Sequence, residues 1–114
     1  MIASRAGVVA ATLAYKRFQV KYAAIVTYTS DASVIAKARP AHRQYFIGLK
    51  EQGKLVISGP YADDHGGLLV YEAENPAQVE ALIAADPFAT GGVFMSWEIR
   101  AWNVVMINQD LLCK

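Results

Sequence analysis

The chain has 114 residues, 54% hydrophobic and 18% charged, which excludes a disordered segment and suits one domain with a single core. Eleven Lys and Arg against ten Asp and Glu leave a formal charge of +1, and no basic run is interleaved with aromatics, so no nucleic-acid partner is expected. One cysteine, Cys113, excludes an intrachain disulfide, and with only two histidines beside it a closed zinc site and other cofactors are not expected.

Residues 1–20, MIASRAGVVAATLAYKRFQV, carry Arg5, Lys16 and Arg17 and no acid. Behind Arg5 the apolar stretch Ala6–Tyr15 has the outline of an export h-region or organelle presequence; an extension ahead of the fold and an upstream start are the competing readings. The stretch is too short to cross a bilayer as a helix, so no membrane partner is expected and the rest reads as cytoplasmic. The divisions fall at 1–20 for the extension, 21–104 for the domain and 105–114 for a tail.

KYAAIVTY (Lys21–Tyr28) is a β-branched and aromatic run stopped by Thr29, Ser30 and Asp31, the first predicted strand. A helix follows, on which His42, Tyr45, Phe46 and Leu49 fall at i, i+3, i+4 and i+7 before Gly53 ends it. Pro40 places His42 near the start of this helix. KLVIS (Lys54–Ser58) is the second strand, closed by Gly59 and Pro60, and YADDHGG is a turn by composition. LLVYEAE (Leu68–Glu74) is the third strand. Asn75 as N-cap, Pro76 in the first turn and Gln78 completing a capping box open the second helix. That helix buries Val79, Leu82 and Ile83 and stops at Asp86, ahead of Pro87. TGG then turns the chain into VFMSWEIRAW (Val93–Trp102), the fourth strand.

The order β-α-β-β-α-β is the split, ferredoxin-like pattern of an α+β fold with an antiparallel sheet. The first strand is apolar on both faces, Tyr22, Ala24, Val26 and Tyr28 on one and Ala23, Ile25 and Thr27 on the other. Two helices cover one face only, so a homodimer packed sheet to sheet is expected.

Two polar residues interrupt the apolar stripes. His42 opens the stripe of the first helix, and Asp86 closes that of the second, at i+7 from Val79. The helices of this topology run antiparallel, which brings the start of the first and the end of the second to one edge of the sheet. His42 and Asp86 are therefore expected to approach each other, as a base and the acid that fixes its tautomer. A helix-capping histidine and an ordinary Asp-Pro helix stop are the structural alternative. Ser58 and Ser96 have no nucleophile signature, so elimination or isomerisation fits better than hydrolysis.

The same edge collects candidate substrate-binding residues. Tyr28 and Asp31 end the first strand, Ser58, Gly59 and Pro60 end the second, and His65 precedes the third. Arg39, one turn before His42, is suited to Asp31, Asp86 or an anionic substrate; a solvated helix-start arginine is the alternative. Asp63, Asp64 and His65 read as an exposed turn in preference to a metal cluster.

Arg39-Pro40-Ala41-His42, Gly53-Lys54-Leu55, Gly59-Pro60, Asp86-Pro87-Phe88 and Ile99-Arg100-Ala101-Trp102, in this order over roughly residues 21–104, resemble the YCII-related family. The resemblance implies a ferredoxin-like subunit of a dimeric α+β barrel, similar to muconolactone isomerase, with a His-Asp site carried by His42 and Asp86. It also implies kinship with a branch linked to dechlorination of a chlorinated hydroxyquinol. Gly66-Gly67-Leu68 stands where many relatives have Gly-Ser or Gly-Thr, and Phe88 where a tyrosine is common.

Two functions follow. One is a cofactor-free acid-base enzyme, a lyase, dehydrohalogenase or isomerase, acting on a small aromatic or lactone-like molecule. His42 would move the proton, Asp86 orient it and Arg39 hold an anionic group. The other is a non-catalytic dimeric module that binds a small ligand or a partner. A water-accessible cavity at His42 is expected of the first, a sealed pair of the second.

Overall fold

The computed structural model describes residues 20–112, so residues 1–19 of the predicted extension and Cys113 lie outside it. In chain order it forms β1 (Val20–Tyr28), α1 (Ala32–Glu51), β2 (Leu55–Pro60), β3 (Gly66–Ala73), α2 (Pro76–Ala84), the one-turn α3 (Pro87–Thr90), β4 (Phe94–Trp102) and the short α4 (Gln109–Leu112). The strands make one antiparallel sheet in the order β2-β3-β1-β4, the ferredoxin-like α+β arrangement that the element order predicts.

Strand alternation decides where the core sits. Tyr22, Ala24 and Val26 of β1 stand opposite Tyr71, Leu69 and Gly67 of β3. Apart from Gly67, the side chains of this row pack in one buried cluster with Ile35 and Leu49 of α1 and with Val79 and Ile83 of α2. Each such aliphatic side chain contributes about 1.5–3 kcal/mol on leaving water. On the other face Ala23 and Ile25 are half-buried, and Leu68 and Trp102 are exposed.

Two bulges turn side chains toward the helix side. Between Leu55 and Ile57 the β2–β3 register slips by one residue, so Ser58 shares a face with Leu69 and Leu55. Between Thr27 and Tyr28 the β1–β4 register skips Met95 and sets Tyr28 against Phe94, their rings stacked at 6.0 Å.

The first helix corrects the placement of His42. It starts at Ala32, well before Pro40, because the Asp31 carboxylate accepts the Ser33 and Val34 amide hydrogens and caps it. Pro40 sits inside the helix on an exposed side, and His42 lies in the middle, beyond reach of a terminal dipole. At the other end Gly53, with φ of 74°, makes the left-handed turn, while Lys54 N–H donates to the Leu49 carbonyl at 2.8 Å.

The second helix ends at Ala84, slightly earlier than predicted, and Asp86 is not its last residue. Asp86 is the N-cap of α3, its carboxylate accepting Phe88 N–H at 2.8 Å. The cap of α2 differs in one detail: Gln78 N–H donates to Asn75 as predicted, but the Gln78 side chain accepts from Glu74 N–H. No described helix is long and apolar enough to cross a membrane.

Candidate active site

Two contacts hold α1 against the α2–α3 junction. The Tyr45 hydroxyl donates to the Leu82 carbonyl at 2.7 Å, near the last turn of α2. One helical turn earlier, His42 Nδ1 lies 2.7 Å from Asp86 Oδ1. The two stripe-breaking residues thus meet, although neither sits at the helix end that the sequence suggests.

Asp86 is fully buried, and its Oδ1 also receives Phe88 N–H, whereas the His42 side chain keeps 12% of its surface exposed. A carboxylate accepts, so Nδ1–H of His42 is the donor and Nε2 is left without a partner among the described residues. Phe88 fixes the imidazole plane: the two rings lie parallel within 3°, with centroids 3.7 Å apart. Phe46 closes on the same ring at 4.2 Å.

The Asp86 charge reaches three phenols. Burial raises the pKa of Tyr28, Tyr45 and Tyr71, and the Asp86 carboxylate adds to it in each case. At Tyr28 the Arg39 guanidinium acts in the opposite sense. All three hydroxyls therefore stay protonated at neutral pH, so none stands beside Asp86 as a second anion. Tyr71 Oη and Asp86 Oδ2 are both buried without a hydrogen-bond partner among the described residues.

A cavity of about 520 Å³ opens in front of His42, between α1, the end of β2 and the turn before β3. Its wall includes Arg39, Tyr28, Ser58, Gly59 and Pro60. Asp86 stands behind His42 and does not reach the wall. Asp31 and His65 do not line the cavity either. The Asp31 carboxylate caps α1, and the Ser33 hydroxyl at 2.6 Å, with the amide hydrogens of Ser33 and Val34, holds its pKa below the ordinary value. His65 uses its backbone, donating to Asp63 and accepting from Tyr28 N–H at 2.9 Å.

Sequence reasoning missed Arg43, Ile47, Asp64 and Phe88 on this wall. Arg43 was findable, since it stands at i+4 from Arg39. Asp64 was not, because it takes a left-handed conformation, φ of 63°, inside a turn whose composition gives no direction. Gly67 explains the close wall: a Cβ there would lie 2.7 Å from the Gly59 carbonyl oxygen and 3.1 Å from the Tyr28 hydroxyl. Among the described residues no group of three or more His, Cys, Asp and Glu is placed to hold a metal ion.

The model of the YCII-related domain matches residues 20–103. The chain belongs to the YCII-related family. Among solved structures, this YCII-related chain is similar to 5-chloro-2-hydroxyhydroquinone dehydrochlorinase (TftG) from Burkholderia phenoliruptrix AC1100, in complex with 2,5-dihydroxybenzoquinone. The two share 25% identity at a TM-score of 0.64, over 73% of this chain and 93% of that one. The structure of PA3566 from Pseudomonas aeruginosa shares the fold, at 11% identity and a TM-score of 0.50, over 78% of this chain and 96% of that one. Comparison with curated protein sequences finds no match.

Proposed function

We propose that this YCII-related domain is an acid-base enzyme that eliminates a leaving group from, or isomerises, a small hydroxylated ring without a cofactor. The observation that carries the reading is His42 on the wall of an open cavity, its Nδ1 bonded to a fully buried carboxylate. In this reading Nε2 accepts the substrate proton while Asp86 holds the tautomer and the ring orientation. The electron pair freed by that proton forms the new π bond, and a halide on the ring leaves with its own bonding pair. Substrate then equals product plus hydrogen halide, so the step balances without an oxidant. The likeness to a dehydrochlorinase supports this class of reaction. Arg39, Tyr28, Ser58, Gly59 and Pro60 serve as the substrate wall.

The parallel stack of His42 on Phe88 favours a second reading, a ligand-binding module whose imidazole is a packing element. One assay separates the two. Chloride release from 5-chloro-2-hydroxyhydroquinone is followed for the parent, His42→Gln and Asp86→Asn, with folding checked by circular dichroism. The enzyme reading expects turnover by the parent and a loss of about 10²–10⁴-fold in folded His42→Gln. The 15N spectrum of the imidazole should also show the Nδ1–H tautomer in the parent. Folded His42→Gln with parental turnover sinks the enzyme reading.

The remaining expectations belong to the same proposal. Two copies pair through the uncovered sheet face, supported by the exposed Leu68 and Trp102 and the half-buried Ala23 and Ile25 on it. The domain works in the cytoplasm, in keeping with a sequence that holds a single cysteine. The tagged 114-residue chain in fractionated host cells tests the location, and recovery outside the cytoplasmic fraction refutes it.

A further inference from the structure

We propose that Arg43, together with Arg39, makes the mouth of the cavity a receptor for a carboxylate, so that the ring taken in beside His42 is a cyclic or aromatic carboxylic acid. The inference rests on the reading of this cavity as the substrate site. Both arginines line it, and both side chains belong to exposed residues of α1 one turn apart. Among the described residues neither takes part in an ion pair. Like charges at i and i+4 on a helix repel and cost a few tenths of a kcal/mol. Two unpaired cations at that spacing on a concave wall therefore weaken α1 unless an anion sits between them.

The donor set selects the anion. Asp64 is the one carboxylate among the wall residues, so two guanidiniums outnumber it there, while the Asp86 carboxylate stands behind His42 and off the wall. Two guanidinium forks offer a carboxylate paired N–H donors, the geometry in which arginine binds it most strongly. The apolar part of the wall, Tyr28, Phe46 and Phe88, accepts the ring itself.

The test compares one ring with and without the charge. Binding of 2,5-dihydroxybenzoate and of hydroquinone is measured under anaerobic conditions by calorimetry and by the His42 ring resonances, for the parent and for Arg43→Gln. The parent should prefer the acid by about tenfold or more, as expected for charge-assisted hydrogen bonds. Arg43→Gln should lose most of that preference and keep its affinity for hydroquinone, which also reports that the variant is folded. Rising salt should erode the preference in the parent. Equal affinities in the parent, or an undiminished preference in Arg43→Gln, overturn the inference and leave the cavity reading standing. If neither ring binds, the inference and the cavity reading fall together.

Discussion

The two faces of the sheet are built by the same four strands and end in different states. On the helix side Tyr22, Ala24, Val26, Leu69 and Tyr71 are buried, and the only fully buried charge among the described residues, Asp86, lies there. On the open side the charges come as neighbouring pairs. Lys21 stands directly across from Glu72 and bonds it at 3.1 Å, and Arg100 reaches Glu98 at 3.2 Å. Beside these pairs lie Ala23, Ile25, Leu68 and Trp102, and Val70, across from Ala23, is buried. Strand alternation sorts residues equally well on both faces. What differs is the second layer: the helix side receives it from the chain itself and can therefore hold a charge away from water, while the open side keeps its polarity exposed and self-neutralised.

Breaking the helix side should cost most. Asp86→Ala strands the His42 ring and the Phe88 amide in a dry site, with an expected loss of roughly 3 kcal/mol in urea unfolding. A loss under about 1 kcal/mol would show that the junction is wetter than its burial implies. On the open side, Ile25→Lys replaces a half-buried side chain with one whose ammonium reaches solvent beside Glu98, and should cost the single chain no more than about 1 kcal/mol. Its expected effect is on association: light scattering should show dimers for the parent and monomers for the variant. Dimers in both would remove this face as the interface.

Asp31 gives the smallest and most conditional effect. Its folded pKa lies below the ordinary 3.8, so its capping contribution is complete above that value and fades as pH falls through the lower folded one. The melting-temperature difference between the parent and Asp31→Ala should hold steady from neutrality to about pH 5 and close in stronger acid. A difference that widens in acid would contradict the cap as the origin of the shift.

The elements were legible because their periods are clean. Alternation gave β1 within one residue of its observed start, and Asn75-Pro76 gave the start of α2. The start of α1 was misread for a physical reason. Pro40 is a strong local signal, but a cap at Asp31 and the burial of Ile35 outweigh one missing amide hydrogen on an exposed side. The meeting of His42 with Asp86 was legible from topology, which fixes edges without needing helix ends to the residue. The bulge that turns Ser58 inward and the left-handed Asp64 were not, since both depend on a register slip or a turn geometry that composition does not encode. Phe88 stands in the Asp86-Pro87-Phe88 motif, which gives no sign of a ring contact; its stack on His42 exists because the Asp86 cap starts a new helical turn there.

Pro40 divides α1 into two unequal levers. It offers no amide hydrogen, so the carbonyl of Ala36 has no rung to receive and turns to solvent on the exposed side. Upstream, the Asp31 cap and Ile35 anchor the segment that carries Arg39. Downstream, Leu49 and the Tyr45–Leu82 bond anchor the segment that carries His42 and Arg43. The missing rung, from Pro40 back to Ala36, therefore encloses Arg39 and lies N-terminal to His42 and Arg43. The helix thus lacks one rung on the stretch that carries Arg39, while the imidazole and its carboxylate are moored downstream of it.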